Sequence, residues 1–492
     1  MIEEEIARRA RLEALRQQGV DPYPASAKRS HHAETFNALF RDLLASMEIV
    51  TVVGRILAIR KHGGMTFLVV GDESGQLQVA LKKDDLGEAV YQSFHDAYDR
   101  GDFIEVSGTA YLTKTEEPTV MAQSFRLLTK SLLPLPEKWH GLSDTEIRYR
   151  QRYLDLASNP NIRAIFKMRS AVVRAIRSFL DAQNFIEVET PILQPIAGGA
   201  EAEPFVTHHN ALGADLFLRI APELYLKRCL VGGFERVYEV SRCFRNEGIS
   251  FQHNPEFTQV EGYIAYAGLD ELIDHLEGLI GVCVKAATGG ETVVKHEQES
   301  LDFTAPIRRV HFYDLILSKT GIDLQKDNTE ATLRLAMKKK GFAEEGIVGF
   351  GGLADELWKK EVRPEIIQPT FVTNYPAAMK PLAKRSIEHP EMSSNVQLVV
   401  KGQEIVNAFS ELNDPLEQEQ SFLDQEVLRE RGREEAFAID HDYIEALKIG
   451  MPPAAGYGVG IDRLCAILAG TRNIKEVILF PTLKPEQADE TV

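Results

Sequence analysis

The chain opens with a charged stretch, Met1 to Gln18, whose pattern is helical. From residue 49 the pattern changes to short strand-like runs, Ile49 to Ile59, Thr66 to Val70, Gln76 to Leu81, Phe103 to Leu112 and Thr119 to Leu128, with a helix near Leu86 to Ala97 before the last two. Five short strands in about 80 residues, parted by Gly-rich turns, predict a small closed β-barrel. Residues 131–142 contain Pro134 and Pro136 and read as a stiffened linker, after which a larger domain begins near Asp144. There Ile162, Ile165, Phe166, Val172, Val173, Ile176, Phe179 and Leu180 fall on one helical stripe. That helix runs into Phe185 to Pro191, a strand ended by its proline. Arg236 to Phe244 and Phe257 to Tyr263 read as the arms of a hairpin around a polar, Gly/Pro-punctuated loop. Residues 325–365 are mostly helical, and Lys338, Lys339 and Lys340 among them read as a solvated helix face. Near the C-terminus a strand with glycine at alternate positions precedes an amphipathic stretch, Leu464 to Leu468.

Composition narrows the class. A chain of 492 residues with 44% hydrophobic content suits a soluble protein of two or more domains, here 1–140 and 141–492. No basic-then-apolar leader and no apolar run of about 18 residues is visible. The four cysteines, Cys229, Cys243, Cys283 and Cys465, form no Cys-x-x-Cys pair, so free thiols in the cytoplasm are expected and a structural zinc site is not. A net charge of -17 argues against indiscriminate binding to DNA or RNA but leaves room for a specific RNA partner on a locally basic face. The five-stranded OB-fold is the commonest small barrel that binds oligonucleotides, although another small barrel fits the pattern nearly as well.

Three segments could carry chemistry. In the hairpin, Arg245 and Glu247 sit at the mouth opposite Phe257, which suits a nucleotide: guanidinium on phosphate, carboxylate on the base edge, ring on its face. A plain salt-bridged surface hairpin has the same spacing. In Gly456-Tyr-Gly-Val-Gly-Ile-Asp-Arg463, alternate glycines let a ligand approach the strand backbone. Glu404-Ile-Val-Asn-Ala-Phe-Ser-Glu411 reads as a metal site, a cation site or an exposed polar face. His208 and His209 are adjacent on a strand, point to opposite faces and are read as structural.

Arg242 to Tyr263 resembles motif 2 of the class II aminoacyl-tRNA synthetases, and its wording, Arg245-Asn-Glu-Gly-Ile-Ser250 then His253-Asn-Pro-Glu-Phe-Thr258, resembles the lysyl-tRNA synthetases. The helix, strand and proline ending at Pro191 resemble motif 1, which builds the family's dimer interface, with Asn184 where glycine is usual. Gly456 to Arg463 resembles motif 3. The resemblance runs from about Arg8 to Leu483 and implies an α+β chain: an N-terminal five-stranded OB-fold barrel, then a mainly antiparallel catalytic sheet flanked by helices, working as a homodimer.

It also implies roles. Arg245 would hold the α-phosphate of ATP and Arg463 the γ-phosphate, with Phe257 on adenine and Glu247, His253 and Asn254 at the adenine end. Gly199, Glu223 and Glu261 would meet the lysine α-amino group; Tyr263, Asn407 and Glu411 the ε-amino group; Phe409 the aliphatic stem; and Arg245 the carboxylate. An acid at 411 calls for a cationic substrate, since opposite charges at 4 Å attract by roughly 4 kcal/mol at an effective dielectric of 20. Magnesium is implied at Glu404, with Glu411 and Gln397 as further donors, although Gln397 stands where a second acid is usual. Glu203 stands where arginine is usual before Pro204-Phe205, and Gly262 where relatives carry an aromatic. In the barrel, Phe67, Gln78 and Glu117 match anticodon-contact positions of tRNA(Lys) recognition, with Arg60 beside them. A protein-lysylating relative and a catalytically silent RNA-binding paralogue are the alternatives; the former lacks the N-terminal barrel.

Overall fold

Inward alternation closes the first barrel. Ile49–His62, Met65–Gly71, Gln76–Lys82, Phe103–Leu112 and Pro118–Thr129 form a closed five-stranded sheet in the order first, second, third, fifth, fourth. Val50, Val52, Ile56, Leu68, Val70, Val79, Ile104 and Val106 fill its interior. This is the OB-fold arrangement. The first strand runs past Ile59 to His62, with an irregularity between Ile56 and Ala58 that lets it bend around the barrel. The helix expected from Leu86 to Ala97 is two, Lys83–Leu86 and Glu88–Ala97, because Gly87 between them takes a φ of 81°.

The computed structural model describes residues 2–136, 144–196, 198–432 and 439–485. Residues 137–142 of the expected linker lie outside the described residues. The chain divides into two compact units, Met1–Ser143 and Asp144–Val492. No helix among the described residues is long and apolar enough to cross a membrane.

The second unit is built on an eight-stranded sheet whose order is Arg308–His311, Thr370–Thr373, Asn395–Val400, Gln403–Ser410, Ala454–Gly460, Glu256–Ala265, Arg236–Phe244 and Ile186–Glu187. Only the outermost pair at each end is parallel. One face is covered by the helices Pro160–Ala182, Leu269–Thr288 and Ile461–Leu468, which bring Val172, Ile176, Leu180, Leu276, Leu279, Leu464 and Ile467 onto Val260, Ile264, Val406 and Val459. The motif-1-like helix is therefore amphipathic as its stripe predicts. Leu464 to Leu468 is not amphipathic in place: the stretch is buried all round, and the half-exposed residue of its helix is Arg463. Asn184 takes the left-handed conformation, φ 62°. The strand expected from Phe185 to Pro191 shrinks to Ile186–Glu187. It pairs with Val237 and Tyr238 only; Thr190 then bonds the Glu239 carboxylate through N (3.2 Å) and Oγ1 (2.7 Å), drawing the chain off the sheet.

The helical segment resolves into Glu330–Lys340, Gly349–Leu357, a π turn Trp358–Val362 and a 3-10 turn Arg363–Glu365. Phe312, Leu353, Trp358 and Tyr375 give it an apolar cluster of its own. Lys338, Lys339 and Lys340 are exposed in the last turn of their helix, where they also complement its dipole.

Period-2 alternation separates the two faces of the sheet. Glu261 and Tyr263 face away from the helices, whereas Gly262 faces them and is cross-strand partner to both Tyr238 and Tyr457. The Tyr457 ring lies over Gly262: a Cβ there would stand 2.4 Å from its hydroxyl. An aromatic at 262 is thus replaced by one arriving from the next strand. Gly262→Phe is expected to cost at least about 2 kcal/mol by overpacking, and Tyr457→Gly in the same chain to return part of it. Additive penalties in a double-mutant cycle of denaturant melts would show that the two sites do not share this space.

Candidate active site

One irregularity assembles the pocket. Glu404 and Glu411 are seven residues apart, a spacing that in a regular strand points two side chains to opposite faces. Along Gln403–Ser410 the register slips: Val399 faces Glu404, but Leu398 faces Val406, leaving Ile405 as the extra residue. Ile405 and Val406 both enter the helical core. Glu404 is thereby returned to the side of Asn407 and Phe409, and it lines the same cavity as they do.

That cavity, of about 170 Å³, is lined by Gly199, Glu223, Arg245, Glu247, His253, Asn254, Phe257, Glu261, Tyr263, Glu404, Asn407, Phe409 and Arg463, so every expected ATP- and lysine-site residue except Glu411 lies in its wall. Glu411 lies just beneath, under Gly456, where a Cβ would fall 2.2 Å from its Oε1 and 2.4 Å from the Tyr263 ring. Gly456, Gly458 and Gly460 form the floor. Gly199, with φ 87°, closes on the Cβ atoms of Ala221 and Glu223.

One end is acidic. Glu223 opens the helix Glu223–Val231, and Lys227 one turn later is completely buried. The Lys227 Nζ lies 2.6 Å from Glu223 Oε1 and 2.6 Å from Glu411 Oε2, and 5.3 Å from the centroid of Phe409. Burial alone would lower the Lys227 pKa, but Glu223 and Glu411 together raise it above its ordinary value. Burial pushes Glu411 up to about 8 against the pull of Lys227. Glu261 accepts from Gln259 Nε2 (2.5 Å) and Tyr263 Oη (3.2 Å). Burial, then the nearby Glu223, raise its carboxyl well above the usual range. Three buried carboxylates thus cluster near one internal ammonium, which pairs directly with Glu223 and Glu411.

The other end is cationic. Arg245 follows the strand Arg236–Phe244, its guanidinium 5.0 Å from the Phe257 ring centroid and its Nε buried with no partner. Arg463 donates to the Glu404 backbone carbonyl at 3.2 Å; burial first, then Arg245 and Arg363, lower its pKa. Burial and the neighbouring Arg463 and Arg245 lower that of His253, whose Nδ1 meets Ser250 Oγ at 2.9 Å and shapes the loop. Asn254 is partly committed to structure: it donates to Glu256 O (2.6 Å) and accepts from Thr482 N (3.1 Å). The Glu203 side chain is exposed, and its backbone carbonyl accepts from Asn246 at 2.8 Å.

The expected trio of metal donors does not assemble. Glu411 is committed to Lys227, and the Gln397 carbonyl accepts from Tyr375 Oη at 2.7 Å. Among the described residues no group of three His, Cys, Asp or Glu side chains could hold a metal. Glu404 alone remains, lining the cavity with no hydrogen bond or ion pair to its carboxylate among the described residues. One carboxylate in a cavity lined by arginines suits magnesium, which takes few protein ligands and can complete its shell with phosphates and water.

In the barrel, Arg60 pairs with Phe67, Phe67 with Ala80 and Val69 with Gln78, so Arg60, Phe67 and Gln78 share the outward face. Phe67 is half-exposed, not core, and the Gln78 Nε2 donates to Thr119 Oγ1 at 2.9 Å. Glu117 is exposed in the turn ahead of the last strand.

Residues 144–484 match the family described as tRNA synthetases class II (D, K and N), and residues 50–128 match the OB-fold nucleic acid binding domain of the tRNA anticodon-binding type. The chain is 47% identical over 481 residues to the lysine–tRNA ligase of Roseiflexus castenholzii, covering 98% of each. It is 46% identical over 484 residues to that of Pelotomaculum thermopropionicum, covering 98% of this chain and 94% of the relative. The chain belongs to the lysine–tRNA ligase family.

For a member of that family, cations beside the pocket escaped the sequence reading, among them Lys227, Arg363 and Lys380. Lys227 had a legible signal, its i,i+4 spacing from Glu223 on a helix. Arg363 and Lys380 had none, since each is placed by packing of the helical segment against the sheet. Removing the Lys227 charge leaves buried carboxylates without a counter-ion. Lys227→Met is therefore expected to cost about 3–5 kcal/mol. Urea denaturation would measure it, and a loss below about 1 kcal/mol would show that the carboxylates simply protonate.

Proposed function

We infer that the pocket activates L-lysine with ATP to lysyl-adenylate, releasing pyrophosphate, and passes the lysyl group to the 3′ end of tRNA(Lys). The observation that carries the lysine assignment is charge. Glu223, Glu261 and Glu411 less Lys227 leave two negative charges when all are ionised, matching the two ammonium groups of lysine. Glu223 and Glu261 take the α-ammonium beside Gly199; Glu411, Tyr263 and Asn407 take the ε-ammonium; Phe409 packs on the stem.

The lysine carboxylate is already ionised at neutral pH, so attack on the α-phosphorus needs alignment and neutralisation more than a general base. Arg245 meets both the lysine carboxylate and the α-phosphate, Arg463 meets the γ-phosphate, and Phe257, Glu247, His253 and Asn254 hold the adenine end. Glu404 would hold magnesium, which would supply further charge neutralisation. Arg60, Phe67, Gln78 and Glu117 on the barrel read the anticodon. The Pro160–Ala182 helix supports a homodimer: Phe166, Arg169, Val173, Arg174 and Arg177 line an open groove with Leu479 and the exposed Phe480.

Lysine-dependent ATP–pyrophosphate exchange tests the activation step, and its absence at saturating magnesium would favour a silent RNA-binding relative. Transfer of labelled lysine to tRNA distinguishes charging from protein lysylation. Glu411→Arg is expected to abolish lysine activation with ATP binding largely retained; an unchanged rate would remove Glu411 from the ε-ammonium site.

The raised carboxyls give a pH signature. Burial pushes Glu411 up to about 8 and raises Glu261 well above the usual carboxylate range in the empty site. An incoming ammonium favours the ionised forms and lowers both values, so lysine binding at neutral pH expels protons and tightens as pH rises toward about 8. Calorimetry in buffers of different ionisation enthalpy reads the proton count; a count of zero would contradict the acidic assignment. Phe67→Ala is expected to raise the KM for tRNA, since one stacked base contributes about 1–3 kcal/mol. Aminoacylation kinetics with tRNA as the varied substrate would reveal it, and an unchanged KM would place anticodon reading elsewhere on the barrel.

A further inference from the structure

Beyond Glu404 the pocket opens into a second cavity, of about 250 Å³, whose wall contains Arg245, Lys359, Arg363 and Lys380. Its acids are Glu201, Glu223, Asp355 and Glu404. Two of these pair with lysines, Asp355 with Lys359 (2.7 Å) and Glu223 with Lys227 (2.6 Å). Arg363 and Lys380 are not paired to a carboxylate among the described residues. The Arg363 Nε is buried without a partner, as is that of Arg245. Lys380 is held by neutral groups: its Nζ donates to Asn407 Oδ1 at 3.2 Å and lies 5.1 Å from the Tyr375 ring centroid. Asn407 Oδ1 also accepts from Gln397 Nε2 at 3.3 Å, and Gln397 Oε1 accepts from Tyr375 Oη. A closed ring of Tyr375, Gln397, Asn407 and Lys380 therefore fixes one ammonium at the wall and occupies the amide that could have turned toward a metal.

Guanidinium and ammonium groups lining a cavity without carboxylate partners are poised for an anion. Glu404 offers a divalent cation only one carboxylate, and fixed side-chain cations can supply part of the positive charge needed along a triphosphate. We propose that Arg363 and Lys380 form a fixed-cation subsite for the pyrophosphate portion of ATP, supplying charge that a second divalent cation would otherwise bring. The inference rests on the reading of the adjoining cavity as the ATP site. Arg363 reaches it from the turn after the π-helical segment, and Lys380 from the loop before Asn395–Val400, so the helical segment contributes directly to nucleotide binding.

The probe is inorganic pyrophosphate, titrated calorimetrically into the full chain in EDTA. Wild type is expected to bind; Lys380→Ala and Arg363→Ala each to weaken binding about tenfold or more, in line with a hydrogen bond to a charged group, and Lys380→Arg to restore most of it. In ATP–pyrophosphate exchange the two Ala variants are expected to need several-fold more magnesium for half-maximal rate. Pyrophosphate binding that requires magnesium in the wild type, or that is unchanged in both Ala variants, overturns the subsite. Metal-free pyrophosphate binding without lysine-dependent exchange would instead sink the functional reading and leave the subsite standing. Exchange with an unchanged magnesium midpoint in both Ala variants overturns the subsite alone.

Discussion

The pocket depends on one extra residue in one strand. Without the bulge at Ile405, the period-2 rule would send Glu404 into the helix-covered core among Leu279, Leu464 and Ile467, where an unpaired carboxylate is costly. With it, an apolar side chain takes the core position and the carboxylate reaches the cavity. The neighbouring strand meets the same constraint differently. Gly456, Gly458 and Gly460 withhold side chains from the pocket face, so that Glu411, Tyr263 and Glu261 can lie against its backbone. Apolar residues on the helix side tie down the strand weakened by these glycines, Tyr457 and Val459 above all.

That frame separates charge by sign over a short distance. Glu261 and Glu411 gather at one end and Arg245 and Arg463 at the other, with Arg363 and Lys380 in the wall of the adjoining cavity that Glu223 also lines, in a chain whose net charge is -17. The overall charge would repel ATP, so binding has to come from this local cluster of cations, screened from bulk water by the walls of the cavity. Arg245 stands at the junction. The reacting carboxylate and phosphate would meet beside it, which is where two negative groups must be brought together.

Much of this was legible in the chain. The barrel strands and the hairpin announced themselves by alternation, and the Pro160–Ala182 helix by its stripe, because each buries one face and leaves the other polar. Residues expected in the ATP and lysine sites do line one cavity. What was not legible depends on distant packing. No local signal marks the slip at Ile405, since Glu404 to Glu411 reads as an ordinary strand. The carbonyl of Gln397 looked available to a metal until Tyr375, 22 positions earlier, was found bonded to it. Glu411 looked free for two tasks until Lys227 was found against it. Burial also erased a periodic signal: Leu464 to Leu468 reads as amphipathic but is enclosed on every side.

A resident lysine in a site for lysine has a physical logic. Three ionised carboxylates packed together would repel one another and protonate, and a protonated acid no longer distinguishes an ammonium from a neutral group. Lys227 offsets one of the three charges and spans Glu223 and Glu411 at 2.6 Å each, holding two of them in place before substrate arrives. The remainder is the charge of two ammonium groups, so an amino acid with a neutral side chain leaves one carboxylate uncompensated, and an acidic one adds a further negative charge. Discrimination then comes from the penalty on the wrong substrate as much as from attraction to the right one. A site with fewer acids and no internal lysine could carry the same net charge, but it would lack the fixed spacing that Lys227 imposes between the two ends of the substrate.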